Sequence, residues 1–195
     1  AEWRRRLDDE FLSNTFFGAA QRVITRVPRT VLPFNEVAAR ALSARTYTAP
    51  SHEVFVTPRS VRFVESEYAV PREAVADVLT DLAAWVERRR EPISFPVEVR
   101  VAAPDDMWLS TGYGRANAYV AVHQFTRGDH RAYFAAFEEI VAAHAGRPHW
   151  GKMHTLDAAE LSVLYPRHGD FVALRDRLDP DRVLTNAYLD RVLGA

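Results

Sequence analysis

The clearest strand in this 195-residue sequence reads Phe95-Pro96-Val97-Glu98-Val99-Arg100-Val101. Successive side chains of a strand point to opposite faces of a sheet, so the apolar residues of this stretch share one face and the two charged residues share the other. The pattern predicts a strand with a buried apolar face. Residues 61–70 and 117–125 alternate in the same way and predict two further strands.

Most of the segments around these strands have helical spacing, with apolar residues three and four positions apart. The predicted helices lie at 5–24, 71–90, 130–144, 155–165, 168–178 and 180–193. A short strand is predicted at 53–56, and irregular connections are predicted through the proline-containing residues 25–50. Strands and helices in this order are typical of an α+β fold in which an antiparallel sheet carries helices on one face.

A tightly turned loop is predicted at Arg147-Pro148-His149-Trp150-Gly151-Lys152-Met153-His154. Pro148 cannot continue a helix, and Gly151 permits backbone angles that other residues avoid. A loop of this kind holds its polar side chains in fixed directions, which favours a functional role. The alternative is a solvated turn around a half-buried tryptophan, and the composition does not choose between the two.

The composition argues against several classes of function. The formal net charge is -1, from 25 basic and 26 acidic residues, so no global field attracts nucleic acid or an anionic membrane. The chain has no cysteine, which removes disulfides, thiolate catalysis and cysteine-ligated metals. The sequence also lacks an apolar run of about 18 residues, a glycine-rich phosphate loop and the G-x-S-x-G motif of serine hydrolases.

Two kinds of polar residue are candidates for chemistry. Glu98 and Arg100 lie about 7 Å apart along one strand face, and such a pair is either a surface ion pair or a charge couple that positions a polar substrate. His123 lies between aromatic residues, where a histidine is usually hydrogen-bonded and half-buried. The spacing of the later histidines matches no helical pair of metal ligands, so no metal site is predicted for His144, His149, His154 and His168.

Four segments carry a family resemblance: VRFVESEYAVPR at 61–72, FPVEVRVAAPDDMWLS at 95–110, RPHWGK at 147–152 and DRVLTNAYLDRVL at 181–193. Together they resemble the C-terminal domain of the aldonolactone oxidoreductases. This family contains the L-gulono-1,4-lactone and D-arabinono-1,4-lactone oxidases and dehydrogenases, with alditol oxidase as a close relative. The resemblance extends over about residues 10–195.

The resemblance implies a flavoenzyme of the vanillyl-alcohol-oxidase type, whose FAD is bound mainly by an N-terminal domain outside this sequence. Residues 1–50 would then connect to that domain and pack on it, residues 51–155 would form the substrate-binding cap, and residues 156–195 would return to the FAD domain. The expected reaction is oxidation of a CH–OH group of a small sugar lactone, with hydride transfer to flavin N5 and oxygen or another electron acceptor as the oxidant. A cytoplasmic location is expected, with peripheral association with a membrane as an alternative.

The resemblance also assigns site residues by position. The catalytic positions are Glu98, Arg100 and Lys152. The substrate-contacting positions are His123, Glu65 and His149. The cofactor-contacting positions are Lys152, His149 and Asn186.

Two other interpretations stay open. Phe125 stands where alditol oxidase has a hydroxyl residue, which favours a lactone over an open alditol without removing the alditol alternative. The chain could also be a non-catalytic α+β binding or interaction domain that keeps the scaffold alone. Retention of the acid–arginine pair together with His149 and Lys152 favours the enzyme.

Overall fold

The computed structural model describes residues 15–41, 46, 48, 50–55 and 60–194. These residues form two compact units. The first unit comprises the described part of residues 1–64 together with 90–96 and 123–130, and the second comprises 65–89, 97–122 and 131–194. Residues 5–14 of the predicted first helix and Val56 of the predicted short strand lie outside the described residues.

The predicted antiparallel sheet is confirmed and has four strands within the described residues. In chain order they are β1 (Phe63–Pro71), β2 (Glu98–Ala102), β3 (Asn117–Phe125) and β4 (Arg147–Pro148). The order across the sheet is β2-β3-β1-β4, so β2 and β4 are the edges. Arg100 of β2 lies opposite Tyr119 of β3, and Tyr68 of β1 lies opposite Pro148 of β4. Residues 63–64 and 123–125 of the inner strands are counted with the first unit.

Along the sequence, the helices of the described chain lie before, between and after these strands. In chain order they are α1 (Phe17–Arg26), α2 (Val31–Ala41), α3 (Ser51–Phe55), α4 (Val75–Arg89), α5 (Arg131–Ala142), α6 (Ala158–Leu164), α7 (His168–Leu178) and α8 (Ala187–Leu193). Single 3-10 turns precede α2 and α4, at Pro28–Thr30 and Arg72–Ala74.

Helix α5 packs on β1 and helix α4 packs on α5, which is compatible with the α+β prediction. Phe137 of α5 meets Tyr68 of β1 edge to face, with ring centroids 5.7 Å apart. Trp85 of α4 stacks on Tyr133 of α5 at 6.1 Å, and Val78 of α4 is fully buried. Because side chains alternate along a strand, the residues of β1 on either side of Tyr68 point to the face opposite α5.

The predicted strand at 95–101 begins three residues later than expected and its apolar face is not buried. Pro96 has no N–H to give to a strand ladder, which suits the observed start at Glu98. Val99 is 46% exposed and Val101 is 60% exposed. The expectation of a buried apolar face was wrong here because β2 is an edge strand, and among the described residues it has a neighbouring strand on one side only.

The first unit contains more helix than predicted. Residues 31–41 were expected to be irregular, but Pro33 falls in the first turn of α2, where a missing N–H costs no helical hydrogen bond. The predicted strand at 53–56 was also wrong, because Ser51–Phe55 is a single helical turn in which the Val54 N–H donates to the Pro50 carbonyl at 3.1 Å. An apolar run this short does not separate strand from helix by periodicity.

The last helices of the second unit pack around one small core. Leu161, Tyr165, Val192 and Leu193 are buried together. Helix α6 begins with a complete capping box, in which Asp157 accepts from the Glu160 N–H and the Glu160 side chain accepts from the Asp157 N–H. The helix predicted at 180–193 is confined to Ala187–Leu193, because the Asp179 carboxylate holds the N–H groups of residues 183 and 184 in a turn.

Candidate active site

Two glutamates of β1 lie on the sheet face opposite to the one that α5 covers. Glu65 and Glu67 are two residues apart, and they alternate with Tyr68, which points to α5. The side chain of Glu67 is 4% exposed, and that of Glu65 is largely buried. Buried carboxylates are costly unless a cation or hydrogen-bond donor compensates them, so each of these glutamates requires a partner.

Arg100 supplies the partner of Glu67. Its Nη2 lies 2.8 Å from Glu67 Oε1, and its Nη1 lies 3.9 Å from Glu98 Oε2. Because β3 stands between β2 and β1, the arginine side chain reaches across about two strand spacings, roughly 9.6 Å, to make this contact.

Lys152 supplies the partner of Glu65. The loop after β4 continues along the free edge of β1, where the N–H groups of His149 and Met153 donate to the carbonyls of Glu67 and Glu65, both at 2.9 Å. The Lys152 N–H closes the turn by donating to the His149 carbonyl at 3.0 Å. This backbone pairing places the Lys152 ammonium on the Glu65 carboxylate, to which it donates a short hydrogen bond.

We call these five side chains the charge cluster: Glu65, Glu67, Glu98, Arg100 and Lys152. Its three carboxylates and two cations give a formal charge of -1. Each cation has one close carboxylate, and both of these carboxylates are more buried than their cations. Glu98 is 38% exposed, and the charged partner that the described residues give it is Arg100 at 3.9 Å. The cluster therefore presents two held cations and one loosely paired carboxylate on a single face.

The loop that carries Lys152 is fixed at several points. Arg147 donates through Nε and Nη1 to the carbonyls of Leu164, Thr111 and Tyr113, at 2.8–3.1 Å, and its burial lowers the pKa of the guanidinium. Trp150 donates through Nε1 to the Leu109 carbonyl at 2.8 Å. These contacts agree with the predicted rigid turn, and they hold the lysine in place.

The far end of the loop is anchored by Glu138 of α5. Its carboxylate accepts from the Thr155 N–H at 3.1 Å and forms a short hydrogen bond with the Tyr68 hydroxyl. Burial, together with this carboxylate, raises the pKa of Tyr68, so the phenol stays protonated and donates. Strand β1 is thereby tied through α5 to the residues that follow Lys152.

Three other predicted site residues lie outside the charge cluster. His149 is exposed, and its Nδ1 accepts from the Gly151 N–H at 3.0 Å within the turn. Asn186 caps α8, with its side-chain oxygen accepting from the N–H groups of residues 188 and 189, both at 3.0 Å. His123 belongs to the first unit, where it is buried against the rings of Phe63 and Phe95, at 5.1 and 6.1 Å. Their substrate and cofactor roles stay predictions.

The sequence reasoning missed Glu67. The signal was present, because the alternation that places Glu65 on one face of β1 places Glu67 on the same face. What the sequence lacked was the partner: Arg100 lies two strands away, and only the strand order β2-β3-β1 brings it to Glu67.

Other kinds of site are not found in the part of the chain that the structure describes. No group of three His, Asp or Glu side chains is arranged to hold a metal ion. No helix in this part combines the length and the apolar character that crossing a bilayer demands. A small cavity of about 160 Å³ lies among residues 171–193 of the second unit, and none of the residues that line it is a predicted site residue.

Comparison with known proteins places the chain in a family. The family model described as D-arabinono-1,4-lactone oxidase matches residues 1–192. The chain belongs to the D-arabinono-1,4-lactone oxidase family. This confirms the resemblance that the four sequence segments carried.

Individual relatives agree with the family. The chain is 45% identical to the L-gulono-1,4-lactone dehydrogenase of Mycobacterium tuberculosis over 192 residues, covering 98% of this chain and 45% of the relative. It is 32% identical to the L-gulonolactone oxidase of Bos taurus over 150 residues, 73% of this chain and 33% of that protein. It is 37% identical to the alditol oxidase of a Streptomyces species over 147 residues, 74% of this chain and 35% of that protein. The chain thus spans less than half the length of these relatives.

Proposed function

We propose that this chain is the substrate-side part of an FAD-dependent oxidoreductase that oxidises the CH–OH group of a sugar-derived 1,4-lactone, such as L-gulono-1,4-lactone. Family membership and the names of the relatives support the reaction class. The observation that carries the proposal for this chain is the charge cluster, in which Arg100 and Lys152 lie on one sheet face and each is held by a carboxylate.

The donor set of this face suits a flavin. Two fixed cations complement the negative charge that a reduced flavin acquires, and an N-terminal FAD-binding domain would have to bring the ring to this face. When bound, FAD supplies the hydride acceptor of the oxidation. Lys152 is the residue of the cluster that we assign to both substrate and flavin, with His149 and Asn186 as further flavin contacts.

The cluster supplies proton transfer and charge stabilisation. Glu98 is the carboxylate with the weakest partner, so it is the one that accepts the hydroxyl proton of the substrate. Arg100 and Lys152 donate to the substrate oxygen and stabilise its alkoxide character as the proton leaves. Fixed cations act more strongly in a site from which water is excluded than they do in water.

The substrate is a lactone rather than an open alditol in this proposal. The reason is Phe125, which offers no hydroxyl at a position that resemblance assigns to a hydroxyl residue in alditol oxidase. Alditol oxidation is the second candidate function, favoured by the 37% identity to an alditol oxidase. A non-catalytic role is not favoured, because it gives no reason for the chain to keep both cations and their carboxylate partners together.

The full-length enzyme tests this proposal directly. Its flavin absorbance should bleach when L-gulono-1,4-lactone is added without oxygen, and a panel of other aldono-1,4-lactones and alditols should rank the substrates. Repeating the panel with oxygen and with an artificial acceptor separates an oxidase from a dehydrogenase. The proposal would be refuted if the purified enzyme contained flavin but its absorbance was bleached by no lactone and by no alditol.

A further inference from the structure

The mechanism proposed above gives no role to Glu67. This carboxylate is 4% exposed, on a strand that is held on both sides by neighbouring strands. Its charged partner in the described chain is Arg100, whose Nη2 lies 2.8 Å from Glu67 Oε1. A charge this buried is maintained at a cost in desolvation, so its presence calls for a reason.

We propose that Glu67 is the positioning residue of Arg100, an inference that rests on the proposed function. Arg100 has two carboxylates within reach, and the contact with Glu67 is 1.1 Å shorter than the 3.9 Å contact with Glu98. The shorter bond, to the more buried and less mobile group, sets the direction of the guanidinium. Glu98 is then free of the holding role and remains available for the proton.

The location of Arg100 explains why it needs such a partner. It stands on an edge strand and is 53% exposed, and its long side chain must cross β3 to reach the middle of the sheet. An arginine side chain in that situation loses considerable rotamer freedom when it is fixed in one geometry. Glu67 fixes one end of the guanidinium and leaves its other N–H groups for the substrate oxygen.

If the ion pair between Glu67 and Arg100 were purely structural, the loss of Glu67 would act mainly on folding stability. Pairing with a half-exposed arginine contributes little to folding stability, and β1 is already anchored by its ladder and by Tyr68 packing on Phe137. Under our proposal the loss of Glu67 therefore acts mainly on Arg100, and only secondarily on the melting temperature.

The first test measures Arg100 itself in the full-length protein. Phenylglyoxal modifies accessible guanidinium groups, and the rate at Arg100 can be followed by mass spectrometry. Glu67→Gln should raise this rate several-fold, while Ser66→Ala, a buried neighbour on the opposite face of β1, should leave it unchanged. Glu67→Asp keeps the charge but shortens the side chain, so it should give an intermediate rate and serves if Glu67→Gln does not fold. An unchanged rate in both Glu67 variants would overturn the proposal.

The second test is a double-mutant cycle on turnover. Glu67→Gln should lower kcat/KM about 100-fold, the effect of misplacing a reacting group by roughly an ångström. In an Arg100→Ala background the same change should have little further effect, because the residue it positions is gone. Fully additive losses would overturn the proposal. If the full-length enzyme oxidises no lactone, the proposed function fails, whereas the phenylglyoxal rates still decide the role of Glu67.

Discussion

At the scale of single residues, the three glutamates of the charge cluster have different surroundings although they look alike in the sequence. Three glutamates lie on two strands, yet their exposure and partners differ: Glu65 and Glu67 are buried beside cations, and Glu98 is more open. The physical reason is their place in the sheet, since β1 is an inner strand and β2 an edge. Each buried glutamate is thereby fixed against a cation, and the proposal assigns proton transfer to the more exposed Glu98.

Lys152→Ala tests the most specific of the assignments. Removal of one donor to developing negative charge costs about 2.7–4 kcal/mol in the transition state, so kcat should fall about 100- to 1000-fold. Steady-state kinetics of the full-length enzyme measure this, with Met153→Ala as a control at an exposed neighbour. Near-normal turnover in Lys152→Ala would show that the role assigned to the ammonium is wrong.

His154 should make the stability of the second unit depend on pH. Its Nδ1 is buried without a hydrogen-bond partner in the described chain, and its Nε2 contacts the Tyr188 hydroxyl at 3.1 Å. Burial is the main cause that lowers the pKa of His154 below 6.5, and the positive charge of Arg191 lowers it further. The unfolded chain therefore takes up a proton near pH 6.5 when the folded chain does not. Stability is at its full value above that pH and falls as pH drops from 6.5 towards the lowered pKa.

The check is the melting temperature of the full-length protein between pH 7.5 and 5, measured for three proteins. The parent should lose stability over this range, and His154→Phe should lose less of it. His52→Gln, at an exposed histidine of α3, should behave like the parent. Parallel curves for the parent and His154→Phe would contradict the linkage.

At the scale of elements, the connection from α5 to β4 sets the start of the loop that carries Lys152. Gly146 lies in this connection, and its N–H donates to the Val141 carbonyl at 2.8 Å. A Cβ at Gly146 would lie 2.7 Å from that carbonyl oxygen and 2.9 Å from the Val141 Cβ. The close approach of these two backbone segments is what allows β4 to turn back directly beside β1.

Gly146→Ala should therefore destabilise the second unit by about 1–3 kcal/mol, the usual cost of forcing an atom into packed structure. Gly169→Ala is the matched control, because no atom lies within 4 Å of its added Cβ and it lies inside α7. The control should leave stability unchanged or raise it slightly, since Gly169 lies in the first turn of α7 and alanine favours the helix. Thermal unfolding compares the two, and equal shifts would show that the contact with Val141 does not constrain the loop.

At the scale of the whole molecule, the proposed function requires an FAD-binding domain in addition to this chain. The chain covers 45% of the mycobacterial relative, and the proposal assigns the charge cluster to the substrate side. We expect the 195-residue chain, purified alone, to show no flavin absorbance and no lactone oxidation. The full-length protein should show both. A flavin spectrum that copurifies with the chain alone would contradict this division of roles.

The prediction from sequence succeeded where local patterns decide the structure. Alternation placed β1 and β3, helical spacing placed α4, α5 and α7, and Asp157 marked the start of α6. It failed at α2, where Pro33 falls in the first turn and permits a helix, and at α3, where a short apolar run does not separate strand from helix. It also failed at 180–186, where Asp179 holds a turn. The boundaries at residues 50 and 155 concern packing on a domain outside this chain, and they stay predictions.

The sequence by itself determined the family and the α+β class. It also determined which charged residues share a strand face, because side chains alternate between the two faces of any strand. Only the tertiary structure decided which charges meet. Strand order brings Arg100 of an edge strand to Glu67 of an inner one, and backbone pairing beside β1 brings Lys152 to Glu65. These contacts join residues that are 33 and 87 positions apart in the sequence. Only the arrangement of the strands and the loop in space brings such residues within hydrogen-bonding distance.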